Sequence, residues 1–247
     1  MSEAFQPIPV RPPSEARALF AFRCMLDFQL LTIYRFLRPE LLAFRGRVLD
    51  AGAGEAPWRE LLAHVEYVGI DVDEAAGFGM RRTPNIVYYD GRKIPFPDSS
   101  FDHVLCVEVL EHVPDPAAFV TELARVLRTG GSLVLTIPWS ARLHHLPHDY
   151  GRFTRYGLRA LLNAGGFTNV RIDERGNDVA VIANKLLVMT IALLRPWRGM
   201  RSLWRWPLAV IAAPIALAFT ITAHVALACR LGSNDDPLGY GAVAIKA

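Results

Sequence analysis

The sequence has 247 residues, and its 27 basic and 24 acidic side chains leave a net charge of only +3. This length allows one large α/β domain with an appendage, and without a separate basic stripe we expect no nucleic-acid partner. A hydrophobic content of 52% is high for a protein whose whole surface meets water. The three cysteines are isolated, so we expect a reducing compartment and neither a disulfide framework nor a cysteine zinc site.

The N-terminal region is predicted to be helical after an irregular start. Residues 1–13 are polar and proline-rich, lack the basic-then-apolar pattern of a secretory signal, and are expected to be disordered. Residues 18–44 are rich in Leu, Phe and Arg, and Pro39 is expected to split them into two helices. We expect residues 1–45 to form a helical lid, which covers a cofactor or contacts lipid.

A short buried strand and a glycine-rich turn open the central part of the chain. The predicted strand runs from Arg47 to Asp50, and Gly52 and Gly54 leave room for a ligand close to the backbone. The next apolar run ends on Asp71, 21 residues after Asp50, the interval at which a βαβ unit presents an acid to a ribose. This pattern, without a third glycine, suits a ligand with a ribose and an amino-acid tail. The alternative is a tight connection without a ligand.

Further strands and one clearly signalled helix follow in the order typical of an α/β sheet. Asp115 is a good N-cap and Pro116 suits the first helical position. The later predicted strands are residues 86–89, 103–107, 132–137, 167–172 and 240–246.

From about Arg47 to Phe167 the chain resembles the class I S-adenosylmethionine-dependent methyltransferases of the type 11 group. The stretch from Cys106 to Pro116 is especially similar to the O-methyltransferases of ubiquinone biosynthesis. The resemblance implies an α/β Rossmann-like sheet of seven strands with helices on both faces, and S-adenosylmethionine as cofactor. The cofactor-binding residues that it implies are Asp50, Gly52, Gly54, Asp71, Val72, Asp90, Gly91, Cys106 and Val107.

The polar loop of residues 139–154 follows the fifth strand and is expected at the ligand-binding edge of the sheet. Methyl transfer needs a base only where the acceptor loses a proton, and imidazoles suit that role. We expect His148 to be the base, with Glu111 and His112 as further catalytic candidates; the alternatives are a loop-stiffening role for His148 and a structural one for His112. The expected substrate-binding residues are Asp149, Tyr150 and Arg152.

The same segment also allows a metal, although none is expected. Glu108, Glu111, His112 and His148 form a set of two carboxylates and two imidazoles that could hold one divalent ion. A similar arrangement occurs in the small-RNA 2′-O-methyltransferases. Glu-x-x-Glu-His is also widespread in the superfamily, where it serves cofactor binding or helix packing.

A long apolar insertion separates the sixth strand from the last one. Residues 207–229 carry no formal charge, and this run is long enough to span a bilayer. A single span is disfavoured, however, because the last strand must return to the same sheet. Four arginines, Arg195, Arg198, Arg201 and Arg205, and the tryptophans Trp197, Trp204 and Trp206 suit headgroup depth. We expect a monotopic hairpin in the cytoplasmic leaflet; the alternative is a buried interface with a second copy.

These observations predict four parts and one leading function. The parts are the lid, a cofactor-binding core at residues 46–176, the apolar insertion at 177–235 and a last core strand at 236–247. The expected function is O-methylation of a lipid-linked or apolar acceptor, such as a glycolipid, a polyprenyl-linked glycan or a quinone precursor, at a membrane. The alternatives are methylation of a soluble small molecule by a homodimer, and a cofactor-binding scaffold without turnover.

Overall fold

The computed structural model describes residue 10 and residues 13–73, 82–194 and 202–247, with only the backbone described at 202–204. The helices are α1 (Arg17–Leu26), α2 (Phe28–Ala43), α3 (Pro116–Val126), α4 (Arg155–Ala164), α5 (Asp178–Leu194) and α6 (Ser202–Cys229). The strands are β1 (Arg47–Ala51), β2 (Glu66–Val72), β3 (Ile86–Tyr89), β4 (Phe101–Val107), β5 (Leu127–Pro138), β6 (Phe167–Arg175) and β7 (Gly239–Lys246).

All seven strands form one sheet in the order β3-β2-β1-β4-β5-β7-β6, in which only β7 runs antiparallel to its neighbours. The carboxyl ends of the parallel strands and the start of β7 therefore meet at one side, which we call the carboxyl edge. Open α/β sheets bind ligands at this edge. The predicted Rossmann-like sheet with an apolar helical insertion before its last strand is confirmed.

Helices cover both faces of the sheet because its central strands carry apolar side chains on both sides. Leu49 of β1 and Leu133 of β5 point into a core closed by α3 and α4. Their sequence neighbours Val48 and Val134 point to the opposite face, where α2 packs. Burying each such side chain stabilises the fold by about 1.5–3 kcal/mol.

Three local predictions differ from the structure. Pro39 lies inside α2, and the break comes earlier, at Asp27, whose carboxylate caps α2 by accepting from the Leu30 N–H at 3.0 Å. Pro39 has no N–H to donate to the Arg35 carbonyl, which is its helical partner. The helix tolerates this because Arg35 and Pro39 are both exposed, so that water can donate to the carbonyl instead. Residues 58–64, which the sequence predicts to be the helix after the glycine turn, form only a 3₁₀ turn at Arg59–Leu62. Strand β5, which the sequence predicts to begin at residue 132, begins directly after α3, at Leu127.

Helices α5 and α6 form an antiparallel hairpin whose base is tied to the sheet. The Asn177 side-chain amide donates to the Leu231 carbonyl at 2.7 Å, and the Ser233 N–H donates to Asp178 at 3.0 Å. Phe28 at the start of α2 is fully buried against residues of both hairpin helices. The predictions made for Arg195, Trp197, Arg198, Arg201 and the Trp204 side chain, and the expected disorder at residues 1–9, 11 and 12, lie outside the described residues.

Candidate functional site

The glycine turn after β1 is packed against Val109, in the segment that follows the neighbouring strand β4. Gly52 has a φ of +79°, and its N–H donates to the Ile70 carbonyl of β2 at 2.9 Å. A Cβ at Gly52 would lie 2.9 Å from Val109 Cγ1 and closer still to Cγ2. The glycine therefore lets the segment after β4 close over the turn, which provides a structural reason for it besides ligand approach.

Asp71 closes the same turn from the end of β2. One carboxylate oxygen accepts from the Gly54 N–H and the other from the Val72 N–H, both at 2.7 Å. Burial raises the pKa of Asp71, and these two hydrogen bonds act against that rise. Because a carboxylate has about four acceptor sites, the two remaining ones can receive a ribose diol.

Val72 also contacts the start of the next loop. A Cβ at Gly91, where φ is +74°, would lie 3.1 Å from Val72 Cγ1. The neighbouring Asp90 is exposed and accepts from the Arg92 N–H at 3.0 Å. The structure thus brings together four of the predicted cofactor-binding residues, Asp71, Val72, Asp90 and Gly91, at the carboxyl ends of β2 and β3.

Asp50 is held by a residue that sequence reasoning missed. Its carboxylate is buried and accepts from the Tyr67 hydroxyl at 2.7 Å. Burial raises the pKa of Asp50 to about 7, while the Tyr67 hydrogen bond lowers it and the charge of Asp71 adds to the rise. Tyr67 pairs with Val48 in the β1–β2 register, and no signal in the sequence identifies it, because this register is established only when the sheet forms.

Cys106 and Val107 differ from the other predicted cofactor residues in where their side chains lie. Cys106 is fully buried in the core closed by α3 and α4, and burial raises the pKa of its thiol. The Val107 side chain packs on the opposite core, against α2. Because Cys106 is fully buried, its contact with a cofactor would be through the backbone.

Three imidazoles meet where the segment after β4 faces the loop after β5. His112 Nε2 lies 3.1 Å from His144 Nε2, and His145 lies within the same cluster, with ring nitrogens no more than 4.8 Å apart. His112 Nδ1 lies 2.7 Å from the His148 carbonyl oxygen. Burial lowers the pKa of His112 to about 4, so its ring is neutral at physiological pH. We call these three residues the histidine cluster.

Glu111 lies beside the histidine cluster and is fully buried. Its Oε1 is 3.6 Å from His112 Nε2 and 3.9 Å from His144 Nε2, and neither carboxyl oxygen has a hydrogen-bond donor among the described residues. Burial raises the pKa of Glu111 well above its usual range, and the charge of Glu108 adds to the rise. A buried carboxyl without a donor is costly unless a proton or another cation satisfies it.

The predicted substrate residues hold the loop after β5 in place. Arg152 contacts both oxygens of the buried Asp149, at 2.5 and 2.9 Å, and the His144 N–H donates to Asp149 at 3.0 Å. Burial would raise the pKa of Asp149, but these bonds keep it below its usual range. Tyr150 is exposed, and its hydroxyl lies 3.0 Å from His148 Nδ1.

The four residues grouped as a metal set by sequence are not brought together. Glu108 pairs with the buried Arg175, whose Nη2 lies 2.8 Å from its carboxylate, and the His148 ring lies beside Tyr150. Sequence reasoning missed His144, His145 and Arg175. The signal for the two histidines was the run His144-His145 opposite Glu111-His112; Arg175 had none, because the end of β6 and the loop after β4 meet only in the folded sheet.

The comparisons with known proteins agree with this geometry. Residues 49–135 match the family described as "Methyltransferase domain". A "Probable S-adenosylmethionine-dependent methyltransferase" of Mycobacterium tuberculosis is 35% identical over 154 residues, which are 60% of this chain and 54% of that protein. The chain thus spans about half the length of this relative.

Two further relatives carry more specific names. Phosphatidylethanolamine N-methyltransferase of Cereibacter sphaeroides is 31% identical over 43% of this chain and 54% of its own. Ubiquinone biosynthesis O-methyltransferase of Aromatoleum aromaticum is 37% identical over 35% of this chain and 42% of its own. The predicted cofactor, S-adenosylmethionine, and the predicted family are confirmed. With the strand order and the glycine turn, these matches show a methyltransferase domain at residues 49–135 in a chain that is similar to S-adenosylmethionine-dependent methyltransferases.

Proposed function

We propose that this methyltransferase transfers the methyl group of S-adenosylmethionine to an oxygen of a lipid-linked or apolar acceptor at the cytoplasmic face of a membrane. The observation that carries the membrane context is the arrangement of side chains on α6. The acceptor classes are a glycolipid, a polyprenyl-linked glycan or a quinone precursor. Relatives named for a phospholipid and for ubiquinone biosynthesis support such acceptors.

The surface of α6 is arranged with small side chains inward and large apolar ones outward. Its buried residues are Ala209, Ala212, Ala216, Thr220, Ala223 and Ala226. Its exposed residues include Trp206, Leu208, Val210, Ile211, Ile215, Leu217, Ile221 and Val225, and the exposed fraction of Val210 is 69%. Helices in lipid pack through small residues in this way, whereas a helix facing water presents polar ones. The exposed side therefore suits lipid.

The hairpin starts and ends at the carboxyl edge, next to the loop after β5 that carries two residues of the histidine cluster. Leu238, directly after the hairpin, accepts from the N–H groups of Trp139 and Ser140, the first residues of the loop after β5. Helix α1 adjoins α6, because His224 Nε2 lies 3.0 Å from the Met25 carbonyl oxygen. Helix α1 also has exposed apolar residues: Leu19, Phe22, Met25 and Leu26. An acceptor held in the bilayer would thus reach the edge where methyl transfer takes place.

A hairpin lying in one leaflet suits the chain better than a span. Residues Arg205–Cys229 are long and apolar enough to cross a membrane. However, β7 must return to the same sheet as β6, and a two-helix span would carry the arginines around the hairpin turn to the far side. These arginines suit the anionic cytoplasmic leaflet, where each contributes about 1 kcal/mol near the surface.

Catalysis by this site rests on positioning and on proton removal. The rate of in-line methyl transfer is increased most by holding the acceptor oxygen in contact with the methyl group and in line with the bond that breaks. His148 lies in the loop of residues 139–154 with its ring outside the histidine cluster, and we propose it as the base that accepts the hydroxyl proton. The Arg152–Asp149 pair keeps that loop in position.

The test is flotation of the purified protein on anionic liposomes, together with methyl transfer from labelled S-adenosylmethionine into lipid and aqueous extracts. We expect flotation of the wild type, its loss in Val210→Asp with Leu217→Asp, and its retention in Tyr156→Asp. Tyr156 is a matched control because it is exposed, at 77%, but lies on α4, away from the hairpin. We expect label only in the lipid extract.

Two outcomes would contradict the proposal in different ways. A stable dimer without flotation would show that a second copy covers the hairpin, and label in the aqueous extract would then identify a soluble acceptor. Binding of S-adenosylmethionine without label in either extract, unchanged by His148→Ala, would show a scaffold without turnover.

A further inference from the structure

We propose that the histidine cluster and Glu111 bind one divalent transition-metal ion. The proposed ligand atoms are His112 Nε2, His144 Nε2, one ring nitrogen of His145 and a carboxylate oxygen of Glu111. This set comes from two segments, the turn after β4 and the loop after β5, which meet only in the fold.

The hydrogen-bond partners of two rings determine which nitrogens face each other. His112 Nδ1 lies 2.7 Å from the His148 carbonyl oxygen, and His144 Nδ1 lies 3.1 Å from the Arg142 carbonyl oxygen. A carbonyl oxygen only accepts, so each Nδ1 carries a hydrogen and Nε2 is the nitrogen of each ring that can present a lone pair to an ion. The two Nε2 atoms nevertheless lie 3.1 Å apart, and a cation shared between them would account for this approach.

The spacing suits an ion better than a chance contact. Two imidazole nitrogens at about 2.0–2.1 Å from one metal are roughly 2.8–3.4 Å apart for angles near 90–110°. Ligating histidines also typically donate their other ring N–H to a carbonyl or carboxylate, as both rings do here. The tautomers and the outer hydrogen bonds of a metal site are therefore already in place.

Glu111 is the second, independent observation. Its side chain is fully buried, both of its oxygens lack a hydrogen-bond donor among the described residues, and Oε1 faces the two Nε2 atoms at 3.6 and 3.9 Å. Three acceptor atoms thus converge on one point. A divalent ion there would satisfy all three.

The chemistry of the ligands indicates the class of ion. Three imidazoles and one carboxylate favour Zn²⁺, Co²⁺ or Fe²⁺, whereas Mg²⁺ and Ca²⁺ prefer oxygen ligands. Glu108 is excluded because Arg175 binds its carboxylate, and His148 because its ring lies beside the Tyr150 hydroxyl. Provided that the proposed function holds, an ion here could bind the acceptor oxygen and lower its pKa.

The test measures metal binding directly and needs no acceptor. The full-length protein in detergent is stripped with a chelator and titrated with Zn²⁺ by calorimetry and with Co²⁺ by visible absorption. We expect one equivalent of each to bind, with the ligand-field bands of nitrogen-bound Co²⁺, and no comparable binding of Mg²⁺. Loss of outer partners alone typically costs 10–100-fold in affinity, so we expect His144→Ala and His145→Ala each to cost at least about 100-fold.

The controls separate the proposal from its alternatives. His148→Ala is the matched control, because this histidine lies in the same loop outside the proposed ligand set, and it should leave Zn²⁺ affinity unchanged. Glu111→Gln keeps the size of the side chain and should weaken Zn²⁺ binding even where the alanine variants fail to fold. No Zn²⁺ binding by the wild type would show that only a shared proton joins the rings. An equal loss in His148→Ala, or preference for Mg²⁺, would overturn the proposed ligand set.

Discussion

Replacing Gly52 by alanine tests the reasoning about the cofactor turn most directly. Gly52 and Gly130 have nearly the same positive φ, +79° and +77°. Their surroundings differ, because a Cβ at Gly52 would overlap Val109, whereas nothing lies within 4 Å of a Cβ at Gly130. The pair therefore separates backbone strain from side-chain overlap.

The expected magnitudes follow from these two contributions. A left-handed conformation costs a non-glycine residue about 1–2 kcal/mol, and this should be the whole effect of Gly130→Ala on the free energy of unfolding. Overpacking costs about 1–3 kcal/mol more. Gly52→Ala should therefore destabilise the protein by about 2–5 kcal/mol. Adding Val109→Ala should recover the overlap contribution but not the backbone one.

The assay is urea unfolding of the wild type, the three single variants and the Gly52→Ala/Val109→Ala double variant, in one detergent at fixed concentration. The double-mutant cycle should give a coupling energy of about 1–3 kcal/mol between the two positions. Equal destabilisation by Gly52→Ala and Gly130→Ala would refute the claim that Val109 requires the glycine. An additive double variant would refute it as well.

Two further predictions concern the acids of the turn. Asp71→Asn should weaken S-adenosylmethionine binding by about 1.5–3 kcal/mol, because it removes the charge that accepts the ribose hydroxyls. Calorimetry should show a smaller loss of affinity for a cofactor analogue without those hydroxyls. Equal losses for the two ligands would argue against the ribose role of Asp71. Burial raises the pKa of Asp50 from an ordinary 3.8 to about 7. Between these two pH values the folded state binds a proton that the unfolded state has lost. The free energy of unfolding therefore falls as pH rises through this range, by about 4 kcal/mol at most. Urea unfolding should therefore favour Asp50→Asn over the wild type more at pH 8 than at pH 5, and a pH-independent difference would refute the buried, proton-binding carboxyl.

Local sequence patterns were sufficient to predict those elements whose conformation depends on residues close by in the sequence. The strand, glycine turn and strand-end acid around Gly52 and Asp71 depend on short-range sterics and on the two-residue period of a strand. Asp115 caps α3 as expected, its carboxylate accepting from the Ala118 N–H at 3.0 Å. Pro39 shows the limit of such rules, because a rigid residue can remain in a helix that tertiary packing stabilises on both sides, at Leu37 and Leu41.

The grouping of titratable side chains could not be predicted in the same way. Both Glu108 and Glu111 follow β4, but positive φ at Glu108 turns its carboxylate toward Arg175, while Glu111 is buried beside His112. The sequence does not distinguish these two directions. Which histidine of the loop after β5 reaches His112 likewise depends on how the Arg152–Asp149 pair folds that loop.

By itself, the sequence determined the α/β class, the cofactor turn and the presence of an apolar insertion, because these are periodic or local features of the chain. Only the tertiary structure decided that the rings of His144 and His145, and not the ring of His148, lie against the His112 ring. It also decided that Tyr67 binds Asp50, and that α6 buries its small residues and exposes its large ones. Each of these depends on contacts between segments far apart in sequence, whose register and facing are established when the sheet and the hairpin close.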